Sequence, residues 1–251
     1  MSAAQAPQQT TVDAAETARF GAIAAEVWDP VGKFRPLHKL NPARMRFLRD
    51  RLAEQFDRDP RSQRPLEGLT IVDVGCGGGI VSEPLARLGA AVTGIDAAPE
   101  NIAVAATHAA DAGLKIDYRC LTAEDLAASG ERFDAVVAME IVEHVADVGL
   151  FAKATAALVK PGGGYAIATL NRTVKSLLLA KIGAEYVLRW LPVGTHDWRR
   201  FLKPSEVATL LRANGLELRQ AAGVTYSPLM DEWVLSRDLD VNYMLFAARP
   251  T

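Results

Sequence analysis

The chain has 251 residues, 49% hydrophobic and 23% charged, enough for one α/β domain with a sizeable core. Its 28 Lys and Arg against 30 Asp and Glu give a formal charge of −2, so no global basic field draws in nucleic acid and no nucleic-acid partner is expected. Cys76 and Cys120 form no C-x-x-C pair and no zinc spacing; both read as small hydrophobes in a reducing cytoplasm.

In chain order, residues 1–12 are small and polar and predict a disordered tail, without the basic and apolar blocks of a secretory signal. No run of ~20 uncharged apolar residues predicts a membrane span. One domain is expected over 13–251, opening with a helical cap over 13–60. Residues 13–28 predict a helix with Phe20, Ile23, Ala24, Val27 and Trp28 on one side. Pro30, Pro36 and Pro42 then punctuate a loop, with Asn41 capping a second helix that starts at Pro42 and runs to about residue 56.

From residue 65 the period alternates. "TIVDVG", "AAVTGID", "KIDYRCL", "FDAVVAME" and "GYAIATL" predict strands, and "GIVSEPLARLG", "APENIAVAATHAADAG" and "VGLFAKATAALVKPGG" predict helices between them. Such alternation implies a doubly wound, mostly parallel sheet with right-handed crossovers. Residues 171–200 break the rhythm. After them "KPSEVATLLRANG" predicts a helix, and "LELRQAAGVTY" and "VNYMLFAAR" a C-terminal antiparallel hairpin.

"IVDVGCGGGI" sets Asp73, Gly75, Gly77, Gly78 and Gly79 between a strand and a helix, where glycines allow positive φ and close approach of a ligand. The dinucleotide fingerprint G-x-G-x-x-G fails at Ile80, which speaks against hydride transfer. The turn reads D-x-G-x-G-x-G and suits a ligand without a pyrophosphate. Asp96 ends the next strand, where an acid accepts hydrogen bonds from ribose hydroxyls. "LTAEDL" then offers backbone groups of Thr122 and Ala123, with Glu124 or Asp125, to an adenine edge. A glycine turn alone is common to doubly wound proteins; the three features at successive strand ends are more specific. Over roughly 65–170 the chain resembles the class I S-adenosylmethionine-dependent methyltransferases, a Rossmann-like fold, which implies S-adenosylmethionine rather than NAD.

"AMEIVEHV" ends the fourth strand, which in such a sheet lies beside the first at the ligand crevice. If the chain turns helical after Glu140, then Glu140, Glu143 and His144 share one face. Such a set can hold Mg²⁺, or His144 can act alone as a general base. The plain alternative is a helix start with dipole-matched acids and a packed histidine. H-E-x-x-H is absent, so zinc is disfavoured.

"FRPLHKLNPARMRFLRD", "VDVGCGGGI", "AMEIVEHV", "LVKPGG", "TLNRTVKS", "GAEYVLRWLPVGTHDW", "FLKPSE" and "DVNYML" together resemble the ubiquinone-biosynthesis O-methyltransferases from about residue 13 to 248. The resemblance implies O-methylation of polyprenyl catechols, and of demethylubiquinol, by S-adenosylmethionine. It implies cofactor contacts at Arg44, Gly75, Asp96 and Met139, and Mg²⁺ ligands at Glu140, Glu143 and His144. It also implies association with other proteins of that pathway. "GIDAAPE" after Asp96 is a variant that touches no catalytic role.

The insertion 171–200 reads as a helical substrate cover. From Arg172 to Trp190 it carries Arg172, Lys175, Lys181 and Arg189 against Glu185, with a broad apolar remainder. That pattern suits an anionic membrane interface or, equally, a helix packed into the core. With a polyprenyl substrate in the bilayer, the expectation is a cytoplasmic enzyme touching the inner membrane face through 172–190. Methylation of a soluble phenol, or a non-catalytic cofactor-binding partner, are the other readings.

Overall fold

A computed structural model of the protein describes residues 10–32, 34–178 and 197–251. Its centre is an eight-stranded sheet in the order β3-β2-β1-β4-β5-β8-β6-β7. The strands are β1 Thr70–Val74, β2 Ala91–Asp96, β3 Asp117–Cys120, β4 Phe133–Met139, β5 Val159–Leu170, β6 Glu217–Ser227, β7 Glu232–Ser236 and β8 Asn242–Ala248. β1 to β5 pair in parallel, and β8 and β6 continue the sheet antiparallel.

The helices are α1 Ala14–Gly21, α2 Arg35–Gln55, α3 Ser82–Arg87, α4 Pro99–Asp111, α5 Ala123–Ala128, α6 Val148–Ala157, the short α7 Val174–Ser176 and α8 Pro204–Ala213. The inner strands are apolar on both sides because each face is covered: Leu48 and Leu52 of α2 pack on one, Phe151 of α6 and Leu211 of α8 on the other.

Four local expectations change. The helix expected over 13–28 is α1, capped by the Asp13 carboxylate, then a separate 3₁₀ turn at Ala24–Glu26. α2 starts at Arg35, not Pro42, because Pro36 already supplies a first-turn proline. Pro42 lies inside that helix, and the Asn41 amide donates to the Ile80 carbonyl at 2.9 Å instead of capping. β5 takes in Pro161 through an irregularity opposite Phe133 and Ala135. In the C-terminal half, β8 inserts between β5 and β6, and β6 forms its tight hairpin with the unforeseen β7.

At the N-terminal edge of the sheet, Asp134 accepts from Thr70 N at 2.8 Å, Thr70 Oγ1 at 2.7 Å and Lys160 Nζ at 2.9 Å. Burial pushes its carboxyl up, but Lys160 and Thr70 more than offset this, and it ends below the usual value. Its contribution is therefore present above the unfolded pKa and lost as pH falls through the lowered folded one. Asp134→Ala is expected to cost about 1 kcal/mol near neutral pH, water still reaching the pair. Urea melts from neutral to strongly acidic pH should show the gap between parent and variant closing.

Candidate active site

The C-terminal ends of β1, β2 and β4 meet where β4 crosses to the far side of β1, and a cavity of about 210 Å³ opens there. Gly75, Gly77 and Gly79 hold φ of 71°, 52° and 91°, so the turn after β1 doubles back with its backbone open to the cavity. A Cβ on Gly75 would also lie 2.7 Å from Ile141 Cγ1. Asp96 receives hydrogen bonds from Gly77 N at 3.0 Å, Ala98 N at 2.8 Å and Asn101 Nδ2 at 3.1 Å. Burial raises its carboxyl, with those donors pulling the other way.

Asp73 sits behind the turn, buried, and takes the Ser82 hydroxyl at 2.6 Å. Burial pushes it up to about 6; Ser82 lowers it, the Asp96 charge adds, and Arg44 opposes. Arg44, 3% exposed, pairs with Glu140 at 3.2 Å, yet its Nε and Nη2 have no hydrogen-bond partner. The Arg44 guanidinium on the cavity wall is thus engaged with Glu140 through Nη2, and Nε is a buried donor left for an anionic ligand group.

Of the residues singled out from sequence, Arg44, Asp73, Gly75, Gly77, Asp96, Ala123, Met139, Glu140 and His144 line this one cavity. Gly79, Glu124 and Glu143 do not. Gly79 gives room to the Tyr118 ring, whose hydroxyl would lie 2.4 Å from a Cβ there. The Glu124 carboxylate is turned to Thr11, taking its N–H at 2.5 Å and its hydroxyl at 2.9 Å. Thr11 is buried, although the expected tail reached residue 12. The Thr11 carbonyl accepts from Ala146 N at 2.9 Å, so the N-terminal segment straps across the cavity. That wall, with Asp13, Glu16 and Phe20 in it, was not foreseen.

The chain does not turn helical after Glu140. Glu140 N still donates to the Ala168 carbonyl, then Glu140 itself takes φ 55°, and only a 3₁₀ turn follows at Val142–His144. A non-glycine residue in that region costs ~1–2 kcal/mol and re-aims its side chain, here toward Arg44. The expected common face of Glu140, Glu143 and His144 is therefore not formed. Glu143 is buried beside Thr169 and Glu140. Burial, with the Glu140 charge adding, pushes its carboxyl up to about 8. His144 Nδ1 lies 2.8 Å from Glu16 Oε2, its ring edge-on to Phe20 at 5.0 Å. Arg19 shares the same Glu16 oxygen at 2.7 Å. Among the described residues no group of three His, Cys, Asp or Glu side chains is placed to hold a metal ion.

The helical cap also grips the glycine turn. Trp28 Nε1 donates to the Gly78 carbonyl at 2.9 Å, and Trp28 stacks on His108 at 3.6 Å. His108 Nδ1 in turn meets the buried Glu83 at 2.5 Å. A Cβ on Gly78 would fall 2.2 Å from Val27 Cγ1. Gly78→Ala should therefore push the cap off the turn and shift the tryptophan emission; fluorescence on the folded variant checks it.

A methyltransferase domain model matches residues 72–167. The chain is 55% identical over 242 residues to the ubiquinone biosynthesis O-methyltransferase of Sinorhizobium medicae (strain WSM419), covering 96% of this chain and 98% of that one. It is 56% identical over 242 residues, with the same coverage, to the protein of that name from Brucella anthropi. Among solved structures, magnesium protoporphyrin IX methyltransferase from Synechocystis PCC 6803 with bound SAH superposes with a TM-score of 0.58 at 22% identity, covering 82% of this chain and 84% of that one. That structural likeness confirms the doubly wound methyltransferase fold.

Proposed function

The chain belongs to the ubiquinone biosynthesis O-methyltransferases, and on that footing we propose that it moves the methyl group of S-adenosylmethionine to a ring hydroxyl of a polyprenyl catechol or hydroquinone, with His144 as the base. The observation that carries this is the placement of His144: it lines the same cavity as the glycine turn and Asp96, its Nδ1 held by Glu16 at 2.8 Å.

S-adenosylmethionine, when bound, supplies an electrophilic methyl on a sulfonium sulfur. Asp96 would accept from the ribose hydroxyls, the Thr122 and Ala123 backbone would meet the adenine, and Arg44, through Nε, would take the amino-acid carboxylate. Met139, on the cavity wall, would pack against the adenosyl group. A phenol, with a pKa of about 10, is a poor nucleophile at neutral pH. With Nδ1–H donated to Glu16, the basic ring nitrogen of His144 is Nε2, which takes the phenol proton as the oxygen attacks. Phe20, Ile141 and Val145 keep water from the reacting face.

A Mg²⁺ ion would need Glu140, Glu143 and His144 together. Glu140 is committed to Arg44, Glu143 is buried and does not line the cavity, and His144 is committed to Glu16, so the residues present do not fit that ion. No step is routed through it. The expected membrane contact of 172–190 rests on the substrate class; residues 179–190 of it lie outside the described residues. Among the described residues no helix is long and apolar enough to cross a membrane. Incubation with methyl-labelled S-adenosylmethionine and a short-chain prenyl catechol, against the same ring without the prenyl group, tests the reading. Label on a phenolic oxygen, favoured by the prenyl group, is expected. Label on neither ring ends the proposal, and equal label on both points to a soluble phenol.

A further inference from the structure

Two polar groups that the methyl transfer leaves unused, Glu83 and His108, both lead to Trp28. Trp28 is not on the cavity wall, although its neighbour Val27 and its partner Gly78 are. Its indole Nε1 donates to the Gly78 carbonyl at 2.9 Å. The N–H of that same peptide, on Gly79, donates to the Cys76 carbonyl at 2.9 Å. The Gly78–Gly79 peptide is therefore held at both of its polar ends. With a glycine on each side, it is the unit of the turn most free to rotate.

These contacts close into a ring. The Gly79 carbonyl accepts from Glu83 N at 3.0 Å. The Glu83 side chain is fully buried, and its carboxylate meets His108 Nδ1 at 2.5 Å and Arg87 at 3.0 Å. The His108 ring lies 3.6 Å from the Trp28 indole with the two planes 3° apart. The indole then returns to Gly78. A buried carboxylate is a costly way to pack a helix, and an apolar side chain in its place is often at least as stabilising. What Glu83 adds is direction: it fixes the His108 ring, and that ring fixes the plane of the indole. His38 Nε2 donates to the Val27 carbonyl at 2.8 Å and anchors the same segment to α2.

We propose that Trp28 is a positioning residue for the methyl donor: its indole N–H holds the Gly78–Gly79 peptide in the form that receives S-adenosylmethionine, and Glu83 and His108 aim the indole. A turn held in this way needs no reordering when the donor arrives, and a preorganised site binds more tightly. The inference rests on the donor half of the proposed reaction and is independent of the acceptor.

Trp28→Phe keeps a ring against His108 and removes the donor. Its affinity for S-adenosylhomocysteine, measured by calorimetry, should fall about tenfold, the scale of one hydrogen bond. In turnover the KM for S-adenosylmethionine should rise by a similar factor, while kcat at saturating donor holds. His108→Ala should weaken the same binding severalfold. Combined with Trp28→Phe it should cost little more, because both act through one contact. Parent affinity in a folded Trp28→Phe protein would overturn the inference, whatever its melting temperature. So would strictly additive losses in the double variant. Should Trp28→Phe not fold, His108→Phe carries the test: it keeps the stack and drops the bond to Glu83, weaker binding is expected, and parent affinity overturns the inference. A parent that binds no S-adenosylhomocysteine would strike the donor assignment itself. A parent that binds it but methylates no catechol would strike the acceptor reading and leave this inference standing.

Discussion

Exchanging His144 for Ala is expected to lower kcat by about 10²–10⁴-fold while S-adenosylhomocysteine binds with parent affinity. His144 lies on the cavity wall and is none of the residues assigned to the donor, so its loss should strike the chemical step alone. Glu16→Gln keeps the shape of the N-terminal wall but removes the charge that fixes the ring, and should cost less. Burial holds the His144 imidazole below its usual 6.5, with Glu16 opposing, so the neutral, proton-accepting form prevails at pH 7. The rate should therefore rise with pH through that lowered value and then level off. Exhaustive chelation should leave the parent's kcat unchanged. Loss of turnover on chelation, restored by Mg²⁺ and matched by Glu140→Ala and Glu143→Ala, would replace the base with a metal and require the 140–144 segment to rearrange.

What the sequence revealed of this site followed from local rules. A glycine run after an apolar strand, and an acid at the end of the next, stay together in any doubly wound sheet, because parallel strands bring their C-terminal ends to one edge. Arg44, Met139 and the family itself came through resemblance. The parts not legible were of another kind. The Glu16–His144 contact spans 128 residues, and no spacing rule links them. The helical face expected for Glu140, Glu143 and His144 failed at a single φ, at Glu140, which no propensity flags. β7 escaped because "EWVLS" is half exposed and too short for its alternation to stand out. Pro42 misled because a proline usually marks a helix start, and here Pro36 had already taken that place.

Asp96→Asn should weaken S-adenosylhomocysteine binding about 10²-fold, with a modest loss of thermal stability from the turn it anchors. In the free protein the carboxylate is already held by Gly77 N, Ala98 N and Asn101 Nδ2, so its orientation is set before the ligand arrives. Two ribose hydroxyls would add bonds to a charged acceptor, each worth ~1.5–3 kcal/mol. An amide keeps one acceptor oxygen and turns the other site into a donor, which then faces Gly77 N–H. The loss is therefore one good bond and one weakened contact, about 3 kcal/mol, which sets the 10²-fold scale. Burial raises Asp96, so the charged acceptor is lost earlier in acid than for a free carboxylate. Parent affinity should then fall as pH drops through that raised value, while Asp96→Asn, with no proton to gain there, should lack this step. Calorimetry on both proteins across acid and neutral pH measures the two effects together. Equal affinity at neutral pH would move ribose recognition away from the end of β2, and an unchanged acid slope in the variant would assign the titration to another group.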